Sequence, residues 1–530
     1  MTPSTRFRRV GLAAVLAAVA VVLVVAGRRA VLAPAVAPTA KTPGDYSVLL
    51  IVIDALRADH LGCYGYHRNT SPFMDSIAAQ GVVFERAMSA SSFTCESVSS
   101  IFTGVLPSCS DTGAGWCSKP SPGKQSMAEF FSAAGYVTGL FTNQPALFDP
   151  AFDTGFAETD HIEKKWGISR QGPRLTQRVL EFLAKNRDRK TMAYVHYLDP
   201  HSPYDPPQAR YLQFADEVFP GGLRLYKDVR PAVPELVAEG FGPGEARFDD
   251  LVLRYDAEIA DTDAALRALV EGMKDLGVLE RTLVIITADH GEEFLDHGYV
   301  EHAWRLYNES IHVPLVFWAP ALLEPARIAD HVSLIDLLPT LIEFADLDER
   351  REGPEGASLF RYDAGALSYE PAARPVIAEL MLETRSNLRV VIHDNHKYMA
   401  ATRWYTPAEC AAAARRQPRE LALLKAGRTA RLPDIYGPTV YEEYYDLEAD
   451  PGEKKPLTTL DSPKGVALKA ILDALTAANA GKAQLGQCGP LTPELREQLR
   501  SLGYGDIEPD PAEPSPAPQH SEQMEALGYL

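Results

Sequence analysis

The densest group of reactive side chains is TADHGEEFLDHGYVEH, Thr287 to His302, directly after the apolar run TLVIIT. Asp289 and His290 are adjacent there, and His297 and His302 follow closely. A carboxylate beside an imidazole suits a divalent metal of intermediate hardness. Four of the thirteen histidines fall between positions 290 and 312, a density that a plain polar loop does not need. A second group, IDALRADHLGCYGY from Ile53 to Tyr66, sets Asp54 at the end of another apolar run. Taken alone, Asp54 reads better as a turn or helix cap. A third, YLDPHSPYDPP from Tyr197 to Pro207, holds Asp199 and His201 in a proline-stiffened loop. Such a loop can fix an imidazole against an oxyanion. The fourth, ASSFTCESVSSIFTG from Ala90 to Gly104, places hydroxyls ahead of an apolar helical stretch. A nucleophile at a helix N-terminus gains from the dipole and the N–H groups there. By itself, that string is an ordinary Ser/Thr cap.

These groups need a scaffold that brings distant segments together. Ser47 to Ile53 (SVLLIVI) is a near-continuous apolar run, the pattern of a parallel strand buried on both faces. Met192–Tyr197, Thr282–Thr287 and Val313–Trp318 repeat it. Between them lie helical patterns such as Phe248 to Leu276, with carboxylates on the face away from the apolar residues. The alternation predicts an α/β sheet covered by helices on both sides. Ligands in such sheets gather at the carboxyl ends of strands, where Asp54 and Asp289 both fall. Ile328 to Leu347 reads as a helix closing this unit. Short strands around Val376, Val390, Tyr398 and Tyr444–Leu447 predict a smaller second part. The organisation read from the chain is residues 1–44 as leader and linker, 45–350 as the main domain, 351–460 as a C-terminal subdomain, and 461–530 as a helical and Pro-rich tail. Two short strings near the end, SLGYG and ALGYL, are too short to make a repeat fold.

The chain has 530 residues, 46% hydrophobic and 23% charged, which excludes global disorder and fibrous classes. The net charge of −19 argues against nucleic acid as the main partner. Arg6, Arg8 and Arg9 precede eighteen uncharged residues, Val10 to Gly27, and Arg28 and Arg29 follow. That pattern predicts an uncleaved signal anchor, with a cleaved or twin-arginine export signal as the alternative, and a stiff Ala/Pro linker from Ala33 to Ala40. The expected location is outside the cytoplasm, periplasmic or at the cell surface, with the body tethered to the membrane. Export permits disulfides. Cys109 with Cys117, and Cys410 with Cys488, are candidate pairs, although spacing does not fix connectivity.

The four groups occur together in an order that resembles the sulfatase family of the alkaline phosphatase superfamily. The resemblance runs from about Tyr46 to Leu457 and includes IHVPLVF from Ile311, SLIDLLPTL from Ser333 and YYDLEADPGE from Tyr444. It implies an alkaline-phosphatase-like fold: a mixed, mostly parallel sheet sandwiched by helices, with a smaller C-terminal α+β subdomain. It implies that Asp54, Asp289 and His290 bind one divalent metal ion (Mn, Zn, Mg or Ca), and that His201 and His302 contact the substrate's phosphate or sulfate group. His297 would do so less directly. The nucleophile position lies ten residues before Gly104, at Thr94.

At Thr94 the chain departs from true sulfatases, which carry Cys or Ser in Cys-x-Pro-Ser-Arg for conversion to formylglycine. Here the string is Thr94-Cys95-Glu96-Ser97-Val98, and a threonine, a secondary alcohol, cannot give an aldehyde. The Gly-Lys-Trp-His segment of arylsulfatases is replaced by Gly139-Leu140-Phe141-Thr142-Asn143, and Ala55 stands where a second aspartate often follows the first. The pattern is similar to threonine-nucleophile members, in which an acidic residue, the threonine hydroxyl and an Asp-His pair hold the metal. The expected function is a metal-dependent hydrolase or phosphotransferase acting on a small-molecule, lipid or glycan phosphate (or sulfate) ester through a covalent intermediate on Thr94. Two alternatives are a sulfuric ester hydrolase using Thr94 or the shifted Cys95, and a non-catalytic exported binding module.

Overall fold

The computed structural model describes residues 43–110, 120, 124–162, 171–223, 228–229, 232–347, 355–363, 366–371, 374–381, 387–403, 439–457 and 462–479. The apolar run at Val10–Gly27, the Ala33–Ala40 linker, Cys117, Cys410, Cys488 and the Pro-rich tail with its two short strings lie outside them. No helix among the described residues is long and apolar enough to cross a membrane.

The strands are β1 (Ser47–Ile53), β2 (Val82–Met88), β3 (Val137–Thr142), β4 (Glu158–His161), β5 (Thr191–Tyr197), β6 (Thr282–Ala288), the short β7 (Glu293–Phe294) and β8 (Val300–Glu301), β9 (His312–Trp318) and β10 (Ala326–Ser333). After them come β11 (Phe360–Asp363), β12 (Ala366–Tyr369), β13 (Val376–Met381), β14 (Asn387–His393), β15 (His396–Arg403) and β16 (Tyr441–Asp446). The helices that matter here are α1 (Pro72–Ala78), α2 (Thr94–Thr103), α3 (Gly172–Lys185), α4 (Ala246–Asp275) and α5 (Leu337–Phe344).

Eight strands form the main sheet in the order β10-β2-β9-β6-β1-β5-β3-β4. Only β9 runs against its neighbours; the other pairings are parallel. The central strands β1, β5 and β6 are buried at every position, which is why their sequences are apolar runs rather than alternations. Their register decides where the chemistry falls. Ile53 pairs with Tyr197 on one side and with Ala288 on the other. Asp54 and Asp289 therefore leave adjacent strand ends at one level, with the loop carrying His201 on the far side of Asp54.

Two expectations are corrected. Ile328–Leu347 is not one helix: its first part belongs to β10, and the helix α5 starts only at Leu337. The edge strand β10 pairs with β2 alone, and most of its residues up to His331 are exposed or half-buried. Its mix of polar and apolar residues thus imitates an amphipathic helix. The carboxylates of α4 are not all on a solvated face either. Asp256 and Asp263 are buried; Asp256 Oδ1 lies 2.7 Å from His60 Nδ1, and Asp263 accepts from the Phe73 and Met74 N–H groups at the start of α1.

The strands β13–β16 form a separate antiparallel sheet that is stitched to the main one. Glu379 N–H donates to Ala90 O at 2.8 Å, and Met381 N–H donates to Glu96 Oε1 at 3.2 Å. The glutamate of YYDLEADPGE, Glu453, forms a fully buried ion pair with Lys397 at 2.6 Å. Its other oxygen accepts from Asn308 N–H at 2.6 Å, and its carbonyl lies 2.8 Å from His297 Nε2.

Candidate active site

Each ligand-type side chain at the strand ends has one atom engaged by the protein and another aimed at a common centre. Asp289 Oδ1 accepts from His290 N–H at 2.9 Å and Ala55 N–H at 3.3 Å. Its Oδ2 is buried, accepts no hydrogen bond among the described residues, and lies 3.5 Å from His290 Nε2. Asp54 Oδ1 is also 3.5 Å from His290 Nε2. His290 Nδ1 lies 2.8 Å from Gly291 O. A carbonyl can only accept, so the proton sits on Nδ1 and Nε2 presents a lone pair. Ligand atoms of Asp54, Asp289 and His290 all fall within 4.8 Å of one another, fully buried. An orphaned carboxylate oxygen beside a second carboxylate and an imidazole lone pair is the environment a divalent cation satisfies. The donor set fits the ion that the resemblance implies.

The electrostatics agree. Burial and then the neighbouring Asp54 push Asp289 up. Burial acts the same way on Asp54, but His201, His196 and His290 outweigh it and hold that carboxyl at about 2. Two carboxylates packed together repel unless a cation stands between them.

Thr94 is the first residue of α2, whose residues are all buried. Its Oγ1 lies 3.1 Å from His290 Nε2. Phe93, the preceding residue, gives no side-chain cap, so the helix start faces the cluster. Hydroxyls hold that helix against the metal-type loop: Ser89 Oγ and Ser97 Oγ donate to Asp289 O at 2.5 and 2.6 Å. Gly104 closes α2 at φ 65°, a left-handed conformation that glycine adopts without the Cβ penalty.

His302 and His201 complete the cluster. The His302 ring lies 4.3 Å from the His290 ring and 4.9 Å from the His201 ring, centre to centre. His302 Nδ1 shares a 3.0 Å hydrogen bond with Glu292, and His201 Nδ1 lies 2.7 Å from Ser202 O.

His297 does not join them. Its Nδ1 lies 2.5 Å from Glu309, its Nε2 lies 2.8 Å from Glu453 O, and its ring stacks on Tyr307 at 3.6 Å. With both nitrogens engaged, it ties the loop to the C-terminal part. Cys95 is disulfide-bonded, as is Cys109. A sulfur held in a disulfide is no thiolate, so Cys95 is corrected from alternative nucleophile to crosslink.

Sequence reasoning missed several supporting residues. His196 sits within the apolar run of β5, and its Nε2 lies 3.4 Å from Asp54 Oδ2. Gln144, just past the end of β3, donates from Nε2 to that same oxygen. Tyr255 OH donates to Ala55 O at 2.7 Å and accepts from Arg57 N–H at 3.0 Å, bracing the turn after Asp54. Arg57 reaches Asp296 at 2.8 Å and Glu292 O at 3.1 Å, joining the two metal-type loops. The available signal was polarity out of place: an imidazole inside a buried strand, and an amide at a strand's carboxyl end.

The model of the family described as Sulfatase matches residues 47–347. An uncharacterized sulfatase of Escherichia coli, YidJ, is 24% identical over 348 residues, which is 57% of this chain and 68% of that protein. Human arylsulfatase A is 26% identical over 353 residues, covering 56% of this chain and 64% of its own. Bovine arylsulfatase K is 36% identical over a shorter stretch of 93 residues, 18% of this chain and 17% of its own length. The chain thus spans about two thirds or less of these curated relatives. Among solved structures, the phosphonate monoester hydrolase of Agrobacterium radiobacter superposes with a TM-score of 0.58 at 18% identity, over 83% of this chain and 96% of that one. A structure of BT4656 in complex with its substrate, D-glucosamine-2-N,6-O-disulfate, gives 0.60 at 16% identity, over 84% and 99%. Both share this sheet-and-subdomain architecture. Strand order, the convergence at the carboxyl ends of β1 and β6, and the family match agree, and the chain belongs to the sulfatase family of the alkaline phosphatase superfamily.

Proposed function

We propose that this chain is a metal-dependent ester hydrolase that forms a covalent intermediate on Thr94, with phosphate or phosphonate esters preferred over sulfate esters. The observation that carries the reading is the placement of Thr94 Oγ1, at the start of a buried helix and 3.1 Å from His290 Nε2, beside the buried carboxylates Asp54 and Asp289. A divalent ion held by Asp54, Asp289, His290 and Thr94 would supply positive charge that acidifies a hydroxyl and offsets charge on the ester oxygens. Thr94 gives its hydroxyl proton to water, and Oγ attacks phosphorus in line. The Oγ–P bond forms, the bond to the leaving alcohol breaks, and the alcohol takes a proton from His201 or His302. Protonated Nε2 groups of these histidines also face the non-bridging oxygens. Water then cleaves the phospho-threonine ester and restores the hydroxyl.

Formylglycine chemistry needs a Cys or Ser precursor, and Thr94 offers neither, which favours the phosphorus ester. The substrate class is a small-molecule, lipid or glycan ester. The single apolar run at Val10–Gly27 supports an exported, membrane-tethered enzyme outside the cytoplasm, and one run in place of several favours hydrolysis over lipid-linked transfer. The test is a side-by-side assay of 4-nitrophenyl phosphodiesters, phosphonate monoesters, phosphate monoesters and sulfates on the purified chain. Phosphorus esters should give the highest kcat/KM. A higher value for the sulfate would overturn the preference, and binding without turnover of any ester would favour the non-catalytic module.

A further inference from the structure

The two carboxylates at the centre each show one oxygen to it, and the reason differs. For Asp289 the main chain occupies Oδ1. For Asp54 a side chain holds the other oxygen, Oδ2, and a second side chain, His196, stands beside it. Gln144 donates from Nε2 to Asp54 Oδ2, and Gln144 Oε1 accepts from Ala146 N–H at 2.9 Å. The Ala146 N–H can bond only to the oxygen of the amide, so the amide cannot flip and its NH2 is kept on Asp54. His196 Nε2 lies 3.4 Å from the same Oδ2 and 3.9 Å from Asp289 Oδ2, while its Nδ1 lies 2.8 Å from Tyr194 OH. Gly291 O, which can only accept, fixes the proton of His290 on Nδ1; His196 Nδ1 instead meets a hydroxyl that can donate, so its proton sits on Nε2 toward Asp54, which can only accept. His196, Gln144 and Asp54 are all buried, so water does not substitute for either donor.

We infer that Gln144 and His196 are the residues that set which ion this site selects, by occupying Asp54 Oδ2 and so holding that carboxylate monodentate. The inference rests on reading Asp54, Asp289 and His290 as the metal site. With both carboxylates limited to one oxygen, the protein offers two carboxylate oxygens, one imidazole nitrogen and the Thr94 hydroxyl. Four mixed donors suit a zinc-like or manganese-like ion. Calcium takes six to eight oxygens and commonly uses carboxylates bidentately, and the Gln144–His196 pair denies it the additional one. Partners that orient a ligand in this way typically change metal affinity by about 10–100-fold when removed.

The experiment is isothermal titration of the metal-stripped full chain with Zn2+, Mn2+ and Ca2+, for the wild type, Gln144→Ala, His196→Gln, Tyr194→Phe and Asp289→Asn. In the wild type each transition ion should bind at one site that Asp289→Asn abolishes. Gln144→Ala and His196→Gln should each reduce the transition-ion to calcium affinity ratio by roughly tenfold or more, because Asp54 becomes able to turn both oxygens inward. Tyr194→Phe, which preserves the ring packing, should shift the ratio the same way by less. General loosening of the fold would lower all three affinities together and leave the ratio unmoved. An unmoved ratio in all of Gln144→Ala, His196→Gln and Tyr194→Phe overturns the inference while leaving the site intact. Undiminished binding in Asp289→Asn overturns the site itself.

Discussion

Thr94 Oγ1 and His290 Nε2 face each other at 3.1 Å although 196 positions separate them in sequence. Two independent supports hold the pair: the hydroxyls of Ser89 and Ser97 clamp the Asp289 carbonyl against α2, and the Gly291 carbonyl fixes the imidazole tautomer. The hydroxyl meets the imidazole lone pair and the carboxylates in one buried volume. Thr94→Ala should lower kcat on a chromogenic phosphodiester by about a thousandfold or more, with an unchanged melting curve. Thr94→Ser should keep measurable turnover. Activity in the alanine variant within a few fold of wild type would remove Thr94 from the chemistry.

Cys95 shares the helix with Thr94 and is disulfide-bonded. Cys95→Ala should cost stability on the order of 2–5 kcal/mol, read by denaturant unfolding. The enzyme that remains folded should turn over at a near-normal rate. Loss of turnover in folded Cys95→Ala, together with a tolerated Thr94→Ala, would transfer the nucleophile role to the cysteine.

Tyr255 braces the turn that presents Asp54, through one hydroxyl that both donates and accepts. Removing it leaves the Ala55 carbonyl and the Arg57 N–H without that partner in a dry setting. Tyr255→Phe should destabilise by about 1–3 kcal/mol and weaken metal binding. A variant with wild-type stability and metal affinity would show the brace to be dispensable.

His297 gives a pH signature. Burial would lower its pKa, but the hydrogen bond and charge of Glu309 outweigh that and raise it above the ordinary 6.5. A raised pKa means that the folded state binds the proton more tightly. The stability from this pair is complete below pH 6.5 and is lost as pH climbs through the folded pKa. Melting temperatures recorded from about pH 6 to about pH 9 should fall in the wild type and fall less in His297→Gln, with kcat little altered. Identical slopes would count against the pair, and a collapse of kcat in stable protein would return His297 to the substrate site.

Lys397 and Glu453 are both fully buried at 2.6 Å. Lys397→Met leaves a carboxylate buried alone and should cost about 3–5 kcal/mol. Adding Glu453→Gln removes the orphaned charge and should recover part of that loss. A double variant less stable than the single one would contradict the coupling.

The central strands were legible because a parallel strand covered on both faces must be apolar throughout, as Ser47–Ile53 and Thr282–Ala288 are. Their shared level was not legible, since register is a property of the sheet rather than of any one run. β10 was misread because an edge strand with a wet face copies a helical pattern. Motif order picks out Thr94, Asp54, Asp289 and His290, and the structure brings them together with His201 and His302. His297, which the resemblance gives as a less direct contact, has its ring against Glu309 and Tyr307. His196 and Gln144 were hidden because each lies in a segment whose composition speaks for packing.

Glu453 reaches across to Asn308 and His297 from 145 and 156 positions further along the chain. The loop carrying the reactive histidines is therefore not finished when the large sheet is made. Its shape waits on the last strands to arrive, so a polypeptide stopping near residue 347 would own every reactive group and still lack the scaffold that orders them. During synthesis, catalytic competence would come late and all at once, with the docking of the tail end.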